Sequence, residues 1–370
     1  MKKDVLYLAI SYPQVRINKF IKYLIQENYN VKLLLCNYNN SKKGIWDEYT
    51  TPLSIEENNK FFTKYPFSNK LLKKLNSEIE KINLSPDIII VRDIFLANYA
   101  QKIAKKYNSK LLIDIADNYP EVILQNNPYG LGKIFYQISN FFEKKVLDKA
   151  NTILCVTRES KKLLSDKHGI SEGKIIPIRN LPLKNEVGEI FNKERLFDFV
   201  YIGTFSKNIR DLVTIIKTLQ LNPELSFHVY TFQKVEVEEF IRNFIDIDNY
   251  KIEIRNPVKK SELNFVLSNY KVGLIPHFRG PGTDYTEPNK LYDYIHANLP
   301  VLASDNPSLK NSLTNLSVGE CYKPNDPQSL LDGYNLIVEN YEKYLEAITA
   351  HKCDLIWEKE ISILNDYLKG

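Results

Sequence analysis

Residues 271–295, KVGLIPHFRGPGTDYTEPNKLYDYI, carry the pattern that decides the fold. An apolar strand from Lys271 to Ile275 enters a turn with two glycines, and a charged helix follows, with Pro288 in its first turn. Glycines allow backbone amides to approach a ligand closely, and the start of a helix offers an anion further free amides. This order of strand, turn and helix predicts an α/β protein with a phosphate site after the strand.

The predicted helix has one polar and one apolar face. At 100° per residue, four polar side chains share an arc of roughly 100°: Thr286, Asn289, Lys290 and Asp293. A lysine offers phosphate a positive charge, and an aspartate one turn later can accept hydrogen bonds from vicinal ribose hydroxyls. These residues predict a nucleotide diphosphate site, and the alternative is an amphipathic surface helix with a Lys/Asp pair.

Apolar strand patterns alternate with helical patterns along the whole chain. Five predicted strands lie in the first half: 5–10, 31–36, 87–91, 110–115 and 152–156. Five more lie in the second half: 199–203, 226–231, 251–254, 271–275 and 301–303. The alternation is typical of doubly wound parallel sheets, so we predict two Rossmann-like domains, residues 1–185 and 186–345. A helical pattern from Tyr341 to Leu368 predicts a last helix, with residues 346–370 packing back on the first domain.

Length and composition set further bounds. A chain of 370 residues exceeds what one hydrophobic core usually serves, which also favours two domains. No apolar run reaches the roughly 18 residues that span a bilayer, and the first residues lead straight into a strand, so we expect a cytoplasmic protein. The four cysteines are widely separated and are expected to be reduced thiols: Cys36, Cys155, Cys321 and Cys353.

Positive charge is concentrated in the first half of the chain. Residues 1–180 hold 29 Lys and Arg against 18 Asp and Glu, a net of +11, which leaves 21 against 27, a net of −6, for residues 181–370. The asymmetry indicates an acidic partner such as anionic lipid head groups or a lipid pyrophosphate, with solvated surface lysines as the alternative. No nucleic-acid-binding motif accompanies the charge, so nucleic acid is not expected as a partner.

Several further segments match a known family in order and spacing. They are IDIADNYPE at 113–121, the stretch from Glu143 through VTRES at 156–160 to Arg179 and Asn180, YIGTFS at 201–206 with Lys207 and Arg210, and NKLYDY at 289–294 with NLPV at 298–301. Together they resemble glycosyltransferase family 4, whose members have the GT-B fold. The resemblance implies two Rossmann-like domains that face each other across a cleft and a retaining sugar transfer from a nucleotide-sugar.

The resemblance also implies roles for residues of this chain. Arg210 and Lys290 are cations, which stabilise the negative charge that develops on a leaving diphosphate. Asp117 could orient the acceptor or act as a base. The predicted catalytic residues are Asp117, Arg210 and Lys290. The predicted donor-binding residues are Gly203, Thr204, Lys207, His277, Gly282, Thr283, Asp284, Glu287, Asn289 and Asp293. The donor is expected to be a UDP-sugar, with no metal and no further cofactor, and the acceptor a growing surface glycan or lipid-linked saccharide.

This sequence departs from the family pattern at several places. Asp293 replaces the usual second glutamate of the family's pair, and the glycine pair often found after the first strand is missing near Tyr12 and Pro13. Ala116 stands where the family commonly has a histidine, and the first glutamate of the family's pair has no clear counterpart, which leaves Asp284 or Glu287 for its role. These departures keep two alternatives open: a catalytically silent homologue that stabilises a partner transferase, and a nucleotide-sugar 2-epimerase.

Two segments combine aromatic residues with lysines. Around 132–147 these are Phe135, Tyr136, Phe141 and Phe142 with Lys133, Lys144 and Lys145, and segment 61–82 has a similar composition. Such faces can rest on an anionic membrane surface, where lipid-linked acceptors reside, and aromatics at helical spacing can equally belong to a core. We therefore expect a cytoplasmic protein with peripheral membrane association as an additional property.

Overall fold

Two six-stranded, all-parallel sheets organise the chain. The computed structural model describes residues 2–11, 15–37, 69–92, 94–189 and 194–369. The segment 61–68 of the predicted basic-aromatic stretch and Cys36's side chain lie outside what is described. The alternation of strands and helices confirms the predicted α/β class with two parallel sheets.

The first sheet has the strand order β2-β1-β3-β4-β5-β6. Its strands are β1 (Asp4–Ser11), β2 (Asn30–Asn37), β3 (Ile88–Val91), β4 (Lys110–Asp114), β5 (Thr152–Cys155) and β6 (Ile175–Pro177). The helices in this part of the chain are α1 (Val15–Gln26), α2 (Asn69–Lys81), α3 (Ile94–Tyr107), α4 (Tyr119–Asn126), α5 (Leu131–Leu147) and α6 (Arg158–His168). All four residues of β3 are buried, as expected of a central parallel strand that is covered on both faces.

A buried ion pair connects the first helix to the first sheet. The guanidinium of Arg16 in α1 contacts both carboxylate oxygens of Asp114 at the end of β4, through Nε at 3.2 and 3.0 Å and through Nη2 at 2.8 Å. Its Nη1 donates to the carbonyl of Ile178 at 2.9 Å. Because both side chains are almost fully buried, the charges compensate each other in a site from which water is excluded.

The second sheet has the order β12-β11-β10-β7-β8-β9. Its strands are β7 (Phe197–Ile202), β8 (Phe227–Tyr230), β9 (Ile252–Arg255), β10 (Tyr270–Ile275), β11 (Val301–Ser304) and β12 (Gly319–Tyr322). The helices that follow along the chain are α7 (Leu212–Leu221), α8 (Lys234–Arg242), α9 (Leu263–Leu267), α10 (Lys290–His296), α11 (Pro307–Leu316), α12 (Pro327–Glu339), α13 (Tyr341–His351), α14 (Trp357–Ile361) and α15 (Asn365–Lys369).

Helix α10 lies directly on β10 because a glycine leaves room for it. A Cβ atom at Gly273 would come within 2.5 Å of Cγ of Tyr294, so any larger residue would displace the helix. The Tyr294 hydroxyl donates to the carbonyl of Leu274 at 3.2 Å and accepts from the amide of Ile202 at 3.3 Å. This contact fixes the height of α10 above two neighbouring strands, and with it the position of Lys290.

The chain divides into two compact units that are not contiguous in sequence. The first comprises the described residues up to Pro120, Tyr129–Arg179 and those from Ile361 onward, and the second comprises Glu121–Pro128 and Asn180–Glu360. The predicted boundaries near 185 and 345 stay a prediction.

The predicted strands were confirmed, but not every element was predicted. The sequence patterns missed the short strands β6 and β12, and the predicted continuous helix from Tyr341 to Leu368 was wrong. Its residues form α13, α14 and α15, because the chain leaves the helical conformation after His351 and again at a 3₁₀ turn at Ser362–Leu364.

Candidate functional site

Parts of the predicted site converge at the carboxyl ends of two neighbouring strands. Strands β7 and β10 pair in parallel, so both end at the same edge of the second sheet. Gly203 follows β7, His277 follows β10, and Lys290 begins α10. Open α/β sheets bind their ligands at such an edge.

Backbone pairing brings Arg210 to the same place. Residues 209–211 run antiparallel to 276–278, with a bridge between Arg210 and His277. The amide of Phe278 donates to the carbonyl of Ile209 at 3.0 Å, and the amide of Asp211 donates to that of Pro276 at 2.9 Å. Asp211 then caps α7 by accepting from the amide of Thr214, so Arg210 is held at the entrance to this helix.

Lys290 is a buried cation with an unsatisfied ammonium group. Only 8% of the residue is exposed, and among the described residues its Nζ has no hydrogen-bond partner. The Nζ atom lies 3.9 Å from the centre of the Tyr201 ring and would lie 3.2 Å from a Cβ at Gly203. Burial lowers the pKa of Lys290 well below its ordinary value, Arg210 lowers it further, and Asp293 opposes the shift. A negatively charged ligand at Nζ would stabilise the charged form of Lys290 and raise its pKa again.

His277 lies against both cations. Its side chain is buried, and neither ring nitrogen has a hydrogen-bond partner within the described part of the chain. Burial lowers the pKa of His277 well below its usual range, and the charges of Arg210 and Lys290 act in the same direction. The neutral ring can therefore offer one N–H donor to a ligand oxygen.

Arg210, His277 and Lys290 form what we call the cationic cluster. The Nε atom of Arg210 is also buried without a hydrogen-bond partner among the described residues. Buried polar groups in proteins are normally hydrogen-bonded, and buried charges are normally paired. Unsatisfied donors on all three side chains are the arrangement expected of a site that binds an anion such as a diphosphate.

The loop between β10 and α10 is held by its own side chains. The carboxylate of Asp284 accepts from Nε of Arg279 at 2.9 Å, from the amide of Gly280 at 3.2 Å and from Nδ2 of Asn306 at 2.8 Å. Glu287 accepts from the hydroxyls of Tyr292 and Ser312. Both predicted sugar-contacting carboxylates therefore accept hydrogen bonds from other groups of the protein. Their contact with a donor sugar stays a prediction.

Three other predicted donor-binding residues also have partners in the protein. The amide of Gly282 donates to Oε1 of Gln125 at 2.7 Å, and the Thr283 hydroxyl donates to the carbonyl of Phe278 at 2.6 Å. Oδ1 of Asn289 accepts from Nδ2 of Asn180 at 2.9 Å. A ligand that used these groups would have to replace such contacts.

Asp293, the predicted ribose-binding residue, forms an ion pair with Lys260. Its side chain is 15% exposed, whereas that of Lys260 is 47% exposed. One carboxylate oxygen of Asp293 therefore contacts the ammonium of Lys260, which belongs to the same unit. The negative charge of Asp293 also raises the pKa of Lys290, against the effects of burial and of Arg210.

The remaining predicted residues lie on the surface. Thr204 and Lys207 are exposed in the segment after β7, where the Thr204 carbonyl accepts from the Tyr201 hydroxyl at 2.6 Å. Asp117 is exposed and lies in the first unit, whereas the other predicted site residues lie in the second. Their functional roles stay predictions.

Three residues of this region were not predicted as site residues. Tyr201 lies beneath Lys290, Lys260 pairs with Asp293, and Gln125 binds the 280–283 loop. Tyr201 belongs to a motif that the sequence analysis quoted, and its position at the end of a strand was a usable signal. Lys260 and Gln125 arrive from elements distant in sequence, and no local pattern marks them.

The described residues contain neither a metal-binding cluster nor a membrane-spanning helix. In the described ranges, no group of three or more His, Cys, Asp or Glu side chains could hold a metal ion. Over the same part of the chain, no helix has the length and apolar character needed to cross a bilayer. The expectation of a metal-independent reaction stays a prediction.

The two parallel sheets and their connections define the GT-B fold. Sucrose-phosphate synthase from Thermosynechococcus elongatus is similar over 100% of this chain and 98% of its own, with a TM-score of 0.76 and 11% identity. The Anabaena protein HepE, solved in complex with UDP and glucose, covers 99% of both chains with a TM-score of 0.72 and 11% identity. The lipopolysaccharide outer core galactosyltransferase WaaB covers 100% and 99%, with a TM-score of 0.72 and 15% identity.

These similarities show the fold. No protein-family model matches the chain, and no curated protein matches it at a significant level. The GT-B fold that the sequence motifs indicated is confirmed by the structural neighbours, whereas a role with surface glycans and membership of glycosyltransferase family 4 stay predictions.

Proposed function

We propose that this chain transfers a sugar from a nucleotide-sugar, a UDP-sugar in the first instance, to a hydroxyl of a growing surface glycan or lipid-linked saccharide. The observation that carries the proposal is the buried ammonium of Lys290, unsatisfied among the described residues and adjacent to Arg210 and His277. The complex of HepE with UDP and glucose supports a uridine nucleotide as the first donor to test.

The cationic cluster supports a chemical role in departure of the nucleotide. As the bond from the sugar to the diphosphate breaks, negative charge grows on the phosphate oxygen and positive charge on the sugar. Arg210 and Lys290 would stabilise the leaving diphosphate by charge, and neutral His277 would donate a hydrogen bond. Retention of the anomeric configuration follows from the family resemblance, and a cytoplasmic location follows from the expected supply of nucleotide-sugar.

A nucleotide-binding experiment tests the proposal. Thermal unfolding and titration calorimetry would be run with UDP, GDP, CMP, ADP and TDP without metal, on the wild-type chain, Lys290→Met and Lys251→Met. Lys251 is an exposed lysine of the same unit that pairs with Glu224, so its replacement removes the same charge away from the cluster.

The expected result is selective binding of one nucleotide, weakened at least about tenfold by Lys290→Met and unchanged by Lys251→Met, because charge-assisted hydrogen bonds are worth about 1.5–3 kcal/mol. Release of sugar from the matching nucleotide-sugar would then establish turnover. Absence of binding for all five nucleotides would refute the proposal and favour a silent subunit of a partner transferase.

A further inference from the structure

Helix α5 exposes a row of large apolar side chains to solvent. Its inner face packs into the core of the first unit through Phe142, Val146 and Leu147. Five other large apolar residues of α5 are exposed: Leu131 (69%), Ile134 (55%), Phe135 (55%), Ile138 (58%) and Phe141 (74%). A surface helix normally has one apolar stripe facing the core, so this outward face requires a separate explanation.

The five exposed residues form a continuous strip. At 100° per residue they fall within an arc of about 120° and span about 15 Å of the helix. Phe142 falls within the same arc but lies beyond the strip, in the last turns of α5, which pack on the core. Tyr129, 81% exposed, extends the strip just before the helix begins. Contiguous exposed apolar surface of several hundred Å² on a water-soluble protein marks an interaction site. We call these six residues the outward strip.

The exposed charges of α5 are all positive. Lys133, Lys144 and Lys145 are exposed, whereas Glu143, the one acidic residue in this fully described helix, is buried. Glu143 contacts Nζ of Lys167 and Nε2 of His168, each at 2.7 Å. By helical angle, Lys133 and Lys144 lie along one margin of the strip, and Lys145 falls within its arc, one turn beyond Phe141.

The helix that carries the strip is firmly attached to the first unit. Nζ of Lys174 donates to the carbonyls of Leu147 at 3.0 Å and Asp148 at 2.8 Å, and Nε2 of Gln101 donates to the carbonyl of Val146 at 2.8 Å. Phe142 stacks on Phe95 with ring centres 6.5 Å apart. These contacts attach the C-terminal turns of α5 to the first unit, and the outward strip lies on the turns that precede them.

We propose that the outward strip inserts into the interface of an anionic phospholipid bilayer, with α5 parallel to the membrane surface. A helix with a strongly apolar side, lysines at its margin and no exposed acid is the type that lies in the head-group region. Its lysines would meet lipid phosphates, and the net charge of +11 in residues 1–180 adds long-range attraction. The inference does not depend on the proposed sugar transfer.

A second copy of the chain fits the strip less well. If two α5 helices paired about a two-fold axis, lysines of one copy would approach lysines of the other whether the helices ran parallel or antiparallel, because Lys133 lies near one end and Lys144 near the other. Like charges in contact oppose association, whereas lipid phosphates neutralise them. Charge complementarity therefore selects the lipid surface.

Vesicle flotation of the full-length protein tests the proposal. Vesicles of phosphatidylcholine alone would be compared with vesicles that also contain phosphatidylglycerol, at low and high salt. The variants are Phe135→Ser/Phe141→Ser for the apolar contact and Lys133→Gln/Lys144→Gln for the charges. The matched control is Phe232→Ser, which removes a phenylalanine that is 88% exposed in the second unit. Circular dichroism would establish that each variant is folded.

We expect the wild-type chain and Phe232→Ser to float with anionic vesicles only. The double serine variant should lose at least about tenfold in apparent affinity, and the double glutamine variant should lose affinity together with its salt dependence. In a Phe141→Trp variant, the introduced indole should shift its emission to shorter wavelength on anionic vesicles.

Two outcomes would overturn the proposal. One is equal flotation of wild type and the double serine variant, which would remove the strip from any membrane contact. The other is a concentration-dependent dimer in sedimentation velocity that the double serine variant abolishes while vesicles show no binding, which would assign the strip to a second copy.

Discussion

Oε1 of Gln125 accepts a hydrogen bond from the backbone amide of Gly282 at 2.7 Å and lies 3.4 Å from the Thr283 hydroxyl. The side chain is closely packed there, since a Cβ atom at Gly280 or at Gly282 would come within 2.9 Å of it. Gln125 thus occupies the amide that the sequence assigned to the donor diphosphate. Under the proposed function, a phosphate oxygen and the glutamine oxygen compete for one N–H group.

Replacing Gln125 with alanine is expected to tighten nucleotide binding about fivefold. The reason is that an ordinary hydrogen bond contributes about 1 kcal/mol net, which the ligand would no longer need to replace. Calorimetric titration of Gln125→Ala with the nucleotide identified for the wild type measures the effect. Asn126→Ala, which truncates the exposed neighbour on the same helix, is the control. Unchanged or weaker binding by Gln125→Ala would mean that the Gly282 amide is structural and does not bind the diphosphate.

Proton uptake should accompany nucleotide binding because the free protein depresses the pKa of Lys290. A bound diphosphate favours the ammonium form and raises that pKa again. Below the lowered pKa of the free protein, Lys290 is protonated in both states and pH has no effect through this group. Between that pKa and the higher pKa of the complex, binding takes up a proton. In this range the affinity for the nucleotide falls by up to about tenfold for each unit by which the pH rises.

Calorimetry in two buffers with different ionisation enthalpies counts these protons across a pH series. The Lys251→Met variant should show the wild-type uptake, and Lys290→Met should show none above the range in which histidine titrates. Identical uptake in wild type and Lys290→Met would contradict the assignment of the proton to this lysine.

The same pKa shift predicts that Lys290 destabilises the free protein. Between the lowered pKa of the folded protein and the ordinary pKa of a lysine, the unfolded chain binds more protons than the folded chain. The free energy of unfolding should therefore rise with pH through this interval. Lys290→Met removes this cost and should raise the midpoint of thermal unfolding by a few degrees without ligand. Differential scanning calorimetry measures it, and a lower midpoint would show that the ammonium has a compensating interaction.

Asp293 and Lys260 should affect nucleotide binding unequally. If Asp293 accepts hydrogen bonds from the ribose, Asp293→Ala loses about 1.5–3 kcal/mol of binding free energy, at least about tenfold in affinity. Lys260 is about half exposed, and its ion pair is screened by solvent, so Lys260→Ala should change affinity less than about threefold. Titrations of the two single variants and the double variant give the coupling. Equal losses in both single variants would show that the ion pair, and not ribose contact, supports the site.

The buried pair of Arg16 and Asp114 is expected to stabilise the first unit strongly. Arg16→Met leaves a fully buried carboxylate without its cation and should cost about 3–5 kcal/mol of unfolding free energy. Arg16→Met/Asp114→Asn should recover part of the loss. Urea unfolding followed by circular dichroism measures both. Lys81→Met breaks the exposed pair with Glu78 and should change stability by at most about 1 kcal/mol, so an equal effect of the two methionine variants would disprove the prediction.

The sequence predicted what depends on short-range pattern. The runs Ile88–Val91 and 301–303 are apolar throughout and lie in buried strands. The lysine that begins α10 was singled out from its place after a glycine-bearing turn. Edge strand β6 was missed because it has three residues and ends at Pro177, and edge strand β12 was missed because only its last residue is buried and it has no apolar run.

Contacts between distant segments were beyond such patterns. The partner of Asp293 lies 33 residues away and the partner of Gly282 lies 157 residues away, so neither has a spacing that a periodic analysis can detect. Helix α5 shows a related difficulty. The sequence shows that this helix contains both aromatic and basic residues. Only the structure shows which rings are buried, because Phe142 packs against the core and Phe135 and Phe141 are exposed.

The discontinuity of the two units limits how this protein can be cut and recombined. Residues 361–369 belong with the first unit, where Nζ of Lys3 donates to the carbonyl of Leu368 at 2.9 Å and the Tyr23 hydroxyl donates to Oδ1 of Asn365 at 2.6 Å. Residues 121–128 belong with the second. A truncation at residue 180 would deprive each fragment of a segment encoded in the other. A hybrid that joins the second unit of this protein to the first unit of another protein would have to include the segment with Gln125 from this chain. It would also have to keep the C-terminal segment of the other protein, because that segment belongs with the first unit.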